Sequence, residues 1–207
     1  MKKREWLFRE ILYRVLEKEE HFFTQKALAK GCGMSIGNVN KALKPLEGMN
    51  AIEKKPRGFR VINPKKIMLY WASIRNVKSD VILKIRVNKN VRDIEKEMPP
   101  VKFTAYSGYK FRFRDAPSDY SEVIVYGDPE KIKSRFSSSE PRASKALKGR
   151  PNIIILKTDS HLLKFKHIPI AQLFVDLWNL DTWYAEEFLK KLEKKINNMV
   201  DQVDQVD

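Results

Sequence analysis

The chain has 207 residues, enough for one large domain or two small ones, and its 43% hydrophobic and 11% aromatic content excludes a mainly disordered state. Lys and Arg number 41 against 26 Asp and Glu, a net charge of +15, which favours nucleic acid or an anionic surface as partner. A single cysteine, Cys32, excludes an intramolecular disulfide framework and a Cys-rich zinc site, and three histidines leave little for a metal or a His-based triad. No cofactor is expected. No apolar run reaches the roughly 18 residues of a membrane-spanning helix. Met1-Lys2-Lys3-Arg4 is basic but leads into a charged, not apolar, stretch. That is unlike a signal peptide, so a cytoplasmic location is expected.

Charge is unevenly spread. Residues 1–80 hold 18 Lys and Arg against 8 Asp and Glu, two-thirds of the excess. A boundary is expected near Asn76–Asp80, giving two domains, 1–76 and 77–207, and an α+β fold overall.

In the first segment Trp6, Ile11, Leu12, Val15 and Leu16 recur at helical spacing. Thr24 suits the N-cap of a short helix through Lys30, and Gly31-Cys32-Gly33-Met34 breaks it. Ser35 caps a third helix, predicted to place Ile36, Val39, Leu43 and Leu46 on one face. Pro45 removes a backbone donor in its last turn, so an early end or a bend is expected. Ile52–Lys54 and Phe59–Ile62 read as strands around a Lys55-Pro56-Arg57-Gly58 turn, and Pro64 opens a fourth helix to about Arg75.

In the second segment Val81–Val87 alternates as a strand and Val91–Met98 reads as a short helix. Val101–Phe113 is ambiguous. Glu122–Tyr126 and Asn152–Lys157 have the β-branched runs of buried strands. Ile168–Leu180 and Thr182–Met199 read as helices. Ser134–Arg150, with Arg135, Arg142, Lys145, Lys148 and Arg150, reads as a basic loop and a candidate second DNA contact. Together these elements predict a small α/β domain, a mixed sheet flanked by helices.

Two helices joined by a tight turn, then a basic hairpin, form the pattern of a winged helix-turn-helix. Ala29 allows close helix approach, Gly33 supplies a turn residue of positive φ, and Val39 packs the second helix onto the first. On the outer face stand Asn38, Asn40, Lys41 and Lys44. Asn can read adenine edges, and Lys can meet guanine or phosphate. Ser35 and the helix N-terminus can hold a phosphate. Lys54, Lys55, Arg57 and Arg60 place the hairpin to touch flanking backbone or, through Arg57, a minor groove. Six phosphates so neutralised would give a log–log salt slope of roughly −5. The plainer reading is a solvated helical domain or a protein-binding winged helix.

Thr24–Asn63 resembles the winged helix of prokaryotic transcriptional regulators, Ser35–Glu47 standing as recognition helix. The whole chain is similar to the AbiEi-type antitoxins of type IV toxin–antitoxin systems, in an archaeal-looking branch. Tyr106-Ser107-Gly108-Tyr109, Glu122–Tyr126, Asn152–Lys157, Ile168–Leu177 and Ala185-Glu186-Glu187-Phe188-Leu189 carry that likeness. The resemblance implies a sequence-specific double-stranded DNA-binding repressor of its own operon, acting on inverted repeats and countering a nucleotidyltransferase-like toxin. The second domain would then supply antitoxin activity, homodimerisation or both.

Catalysis has weak support. Ser118-Asp119-Tyr120-Ser121-Glu122 after Ser107-Gly108 is near a nucleotidyltransferase layout, but Ser121 stands where a second carboxylate is needed and Gly and Ser are in the wrong order. No enzyme is expected. Asp176, on an apolar helix, reads as a cap or an ion-pair partner, with a contact to a binding partner as its functional alternative, Cys32 as a small packing residue, and His161 and His167 as having no third ligand nearby.

Overall fold

The computed structural model describes residues 1–137 and 149–203. Helix α1 (Lys3–Lys18) buries Leu7, Phe8, Ile11, Leu12 and Val15, one stripe at helical spacing. Its start is closed by Glu5, whose Oε1 accepts the Lys2 N–H at 3.0 Å. Strand β1 (Phe22–Phe23) follows, then α2 (Gln25–Cys32) and α3 (Ile36–Gly48). Thr24 and Ser35 act as N-caps, their hydroxyls each accepting a backbone N–H at 3.2 Å. Gly33 takes φ +58° between the two helices, a conformation that glycine adopts without strain. Helix α3 does not end early at Pro45 but runs on to Gly48. The proline nitrogen has no hydrogen to give, so the Lys41 carbonyl receives no helical bond from position 45. Ile36 also departs from expectation. It is 50% exposed, because it occupies the first turn of α3, beyond the row of Val39, Leu43 and Leu46.

Strands β2 (Ile52–Lys55) and β3 (Gly58–Val61) pair with Lys55 opposite Gly58, leaving Pro56-Arg57 as the turn. The sheet order is β1-β3-β2, all antiparallel. The pairing of β1 was not legible in the sequence. It depends on Gly58, where a Cβ would lie 2.1 Å from the Phe23 carbonyl oxygen. Phe23 and Phe59 then stack with ring centroids 5.6 Å apart. Asn63 caps α4 (Pro64–Ile74), with proline in its first turn.

A 3-10 turn over Val77–Asp80 leads into β4 (Val81–Ile85), α5 (Val91–Glu97), β5 (Lys102–Thr104), α6 (Ala105–Phe113), β6 (Val123–Tyr126), α7 (Pro129–Ser137) and β7 (Ile153–Leu156). After a second 3-10 turn come α8 (Ile170–Trp178) and α9 (Trp183–Val203). The ambiguous stretch after Val101 is therefore a short strand followed by a helix. Residues 134–137 belong to α7 rather than to a loop, because Ile132 and Phe136, four apart, are buried on one face. Arg142, Lys145 and Lys148 of the expected basic loop lie outside the described residues.

The second sheet has the order β4-β7-β6-β5, parallel between β6 and β7 and antiparallel elsewhere. The fold is α+β with a mixed sheet. Alternate residues of its strands face two cores. Val123, Val125, Ile153 and Ile155 pack with Ile94 of α5 and with Ile132 and Phe136 of α7. Ile124, Tyr126 and Leu156 join a larger cluster that runs without a break from Leu7 of α1 through α4 and α8 to Ile196 of α9. The apolar cluster thus crosses the expected boundary at residue 76. Among the described residues no helix is long and apolar enough to cross a membrane.

Two buried arginines bind the first segment to the second. Arg9 of α1 donates to Gln172 Oε1 of α8 at 3.0 Å and to Asp159 Oδ1 at 2.6 Å. Arg75, after α4, donates to Asp80 Oδ2 at 2.5 Å and to the Tyr126 hydroxyl at 3.2 Å, and lies 3.5 Å from Asp176 Oδ1. Asp176 Oδ2 accepts from Tyr126 at 2.7 Å and Thr104 at 2.9 Å. The carboxylate on the apolar helix is an ion-pair partner, as its surroundings in sequence implied.

Candidate nucleic-acid interface

The interface is built on α3. Its buried row, Val39, Leu43 and Leu46, faces α1 and α2. At 3.6 residues per turn the opposite face carries Gly37, Lys41 and Lys44. Gly37 has nothing within 4 Å of a Cβ position, so the helix backbone is open to close approach there. Asn40 and Glu47 share the flank towards the hairpin, and Glu47 accepts from Lys54 of β2 at 2.7 Å. Asn38 lies on the other flank, towards the start of α1. Ser35, Asn38, Asn40, Lys41 and Lys44 are all exposed. Ser35 spends its hydroxyl as an acceptor for the Asn38 N–H, so it shapes the helix start more than it reaches outwards.

The hairpin stands beside this face. Arg57 is exposed at its tip. Lys54 is paired with Glu47, and Lys55 with Glu53 at 2.8 Å. Both are exposed pairs of the kind worth only about 0–1 kcal/mol, so a phosphate can displace either carboxylate. Arg60 is exposed on β3, opposite Phe22 and Glu53.

The structure adds a group that the sequence reading passed over. Lys2, Lys3 and Arg4 share one cleft of 370 Å³ with Asn38, Lys41 and Pro45. Lys3 Nζ donates to the Gly33 carbonyl of the turn at 2.8 Å. The basic start of the chain thereby extends the cationic face of α3. The signal was present as three successive basic residues, but their position beside residues 33–45 is a tertiary fact.

The turn is also held from the far side. Lys164 donates to the Gly31 carbonyl, and Cys32 Sγ lies 3.8 Å from His161 Nε2. Glu10 Oε2 stands 3.2 Å from the same ring nitrogen, and Trp6 stacks on the ring at 5.8 Å. Glu10, Cys32 and His161 therefore meet, although the sequence places no ligand-type partner near His161. Burial, followed by the charge of Glu10, pushes the Cys32 thiol up to about 12, which keeps it protonated. Burial alone would raise the Glu10 carboxyl. The hydrogen bond and charge of His161, with Arg14 and Lys164, hold it below its ordinary value.

Among the aromatic residues of the last two helices, Tyr184 and Phe188 are in the core, whereas Trp178 is half exposed and Trp183 is 72% exposed. Tyr184 donates to Glu122, which also accepts from Ser121.

Residues 3–84 match the family model described as Firmicute plasmid replication protein (RepL). No curated protein and no solved structure matches the chain. The likeness runs from α1 through most of β4 and so includes α3, the hairpin and, of the basic start of the chain, Lys3 and Arg4. Over that span the chain is similar to the RepL plasmid replication proteins, which supports a winged helix-turn-helix regulator family.

Proposed function

We propose that the chain is a sequence-specific double-stranded DNA-binding regulator whose residues 1–76 form a winged helix-turn-helix domain. The observation that carries this is the cationic face of α3, continuous with basic residues on both flanks. In this reading α3 enters the major groove. Asn38, Asn40, Lys41 and Lys44 meet base edges and phosphates, with Ser35 at the helix start. Lys54, Lys55, Arg57 and Arg60 hold the backbone on one side. Lys2, Lys3 and Arg4 do so on the other. The RepL likeness favours DNA of a replication or control region as the target.

A second reading is autorepression by an antitoxin of a type IV pair, with residues 77–207 acting against a nucleotidyltransferase-like toxin or joining two copies. It is supported by the motif likeness of α6, β6, β7 and α8. Binding without catalysis is part of both readings. In the Glu10–Cys32–His161 group the thiol and the carboxylate approach the same ring nitrogen, whereas a nucleophile relay needs them on opposite nitrogens.

Selection of bound duplexes from a random library, followed by fluorescence anisotropy on the selected site and a scrambled duplex, tests the proposal. Binding to the selected site ~10³-fold tighter than to the scramble is expected. Equal, steeply salt-dependent binding to both would reduce α3 to a basic surface.

A further inference from the structure

Away from α3, a cleft of 440 Å³ opens between β5, α6, residues 166–168 and α8. Small-ligand sites span about 300–1,000 Å³. Its apolar wall includes Phe103 and Phe111, whose rings meet edge-to-face at 4.8 Å. Phe111 is nevertheless 50% exposed, so its ring is open to stacking. At Gly108 a Cβ would stand 2.9 Å from the Phe103 carbonyl oxygen and 3.0 Å from Leu173, so the cleft wall depends on glycine there.

The polar lining is all basic: Lys102, Arg112, Lys166 and His167, with no Asp or Glu among the lining residues. The four are not equivalent. Arg112 is neutralised by Glu17 at 2.5 Å. Among the described residues, Lys102 Nζ is bonded to the carbonyl oxygens of Phe165 and Lys166. Burial lowers its ammonium below the ordinary value, and no carboxylate opposes the shift. Lys166 is exposed at the rim. The cleft therefore combines an aromatic wall with unbalanced positive charge.

We propose that this cleft binds a small organic anion with a flat apolar body. The body lies over Phe111 and Phe103, and the anionic group meets Lys102 and Lys166. A nucleotide and an aromatic carboxylate share that chemistry. The site uses elements after residue 100 and does not rest on the DNA-binding reading.

The full chain titrated with anilinonaphthalene sulfonate, followed by fluorescence, provides the test. Saturable binding at one site is expected, weakened ~10-fold or more by Lys166→Glu and by Phe111→Ala and unchanged by Trp183→Ala. Circular dichroism of each variant checks the fold. Adenosine monophosphate and naphthoate are then added as competitors. Displacement by the nucleotide assigns that class, and displacement by naphthoate alone assigns an aromatic carboxylate. Displacement by neither, wild-type affinity in both cleft variants, or loss of binding in Trp183→Ala overturns the proposal.

Discussion

Arg75 Nε and Asp176 Oδ1 face each other at 3.5 Å, both side chains almost wholly buried, one just beyond α4 and the other within α8. Removing one member leaves a buried charge short of a partner, which costs about 3–5 kcal/mol in comparable cases. Asp176→Ala should therefore lower the unfolding free energy by about 3 kcal/mol, since Asp80 still pairs with the guanidinium. Asp176→Asn, which keeps an acceptor for Tyr126 and Thr104, should cost less. Urea denaturation measures both. Equal losses would mean that the charge, and not packing or the acceptor, sets the value.

The pH dependence contributed by Asp80 has a definite sign. Burial alone would raise the Asp80 carboxyl. The Met1 ammonium at 2.8 Å and Arg75 at 2.5 Å overcome that and hold it below the ordinary carboxylate range. A carboxyl depressed in the folded state stabilises above its unfolded value, near ~3.9, and loses that contribution as pH falls through the folded one. The stability gap between the wild type and Asp80→Asn should be constant between about pH 5 and 7 and shrink below pH ~4. A gap that widens on acidification would contradict the ion-pair assignment.

Gly58→Ala tests the hairpin. A methyl 2.1 Å from the Phe23 carbonyl must push β1 away from β3, at a cost of about 1–3 kcal/mol. DNA affinity should fall with it, because the hairpin carries Arg57. Gly37→Ala, in open space, should leave stability within about 0.5 kcal/mol of the wild type, or improve it. Similar losses in the two variants would deny Gly58 its special place.

Contacts to phosphate and to bases separate by their salt and sequence dependence. Lys3→Ala and Arg4→Ala should weaken binding to specific and scrambled duplexes alike, each lowering the magnitude of the salt slope by ~0.9. Asn40→Ala should cost about 1–3 kcal/mol on the selected site and little on the scramble. Anisotropy across a salt series reads both. An unchanged slope in Lys3→Ala and Arg4→Ala would detach the start of α1 from the interface.

Local patterns carried much of this architecture. Periodic apolar residues and their caps reveal α1, α2, α3 and α4, and β-branched runs reveal β6 and β7 to within a residue or two. What escaped was set by distant contacts. Strand β1 is two residues long and exists because β3 offers it an edge. Ile36 matches the buried period yet is half exposed, because it stands in the first turn of α3, beyond the buried row of Val39, Leu43 and Leu46. Helix α7 did leave a local trace, Ile132 and Phe136, obscured by its Lys and Ser content. The outer face of α3 was legible from period and charge. Its continuation through Lys2, Lys3 and Arg4 and the meeting of Cys32 with His161, 129 residues apart, were not.

Helix α8 has consequences beyond packing. All of its residues from Ile170 to Leu177 are buried, and it touches α1, α4, α6 and α9. A segment with no outward side tolerates little substitution, and the chain cannot be divided on either side of it without damage. Proteolytic or genetic removal of everything after residue 84 would strip cover from α1 and α4 and leave Arg9 without Asp159 and Gln172. The isolated amino-terminal piece should therefore precipitate or lose its cooperative melt, and recognition of nucleic acid should require the intact polypeptide.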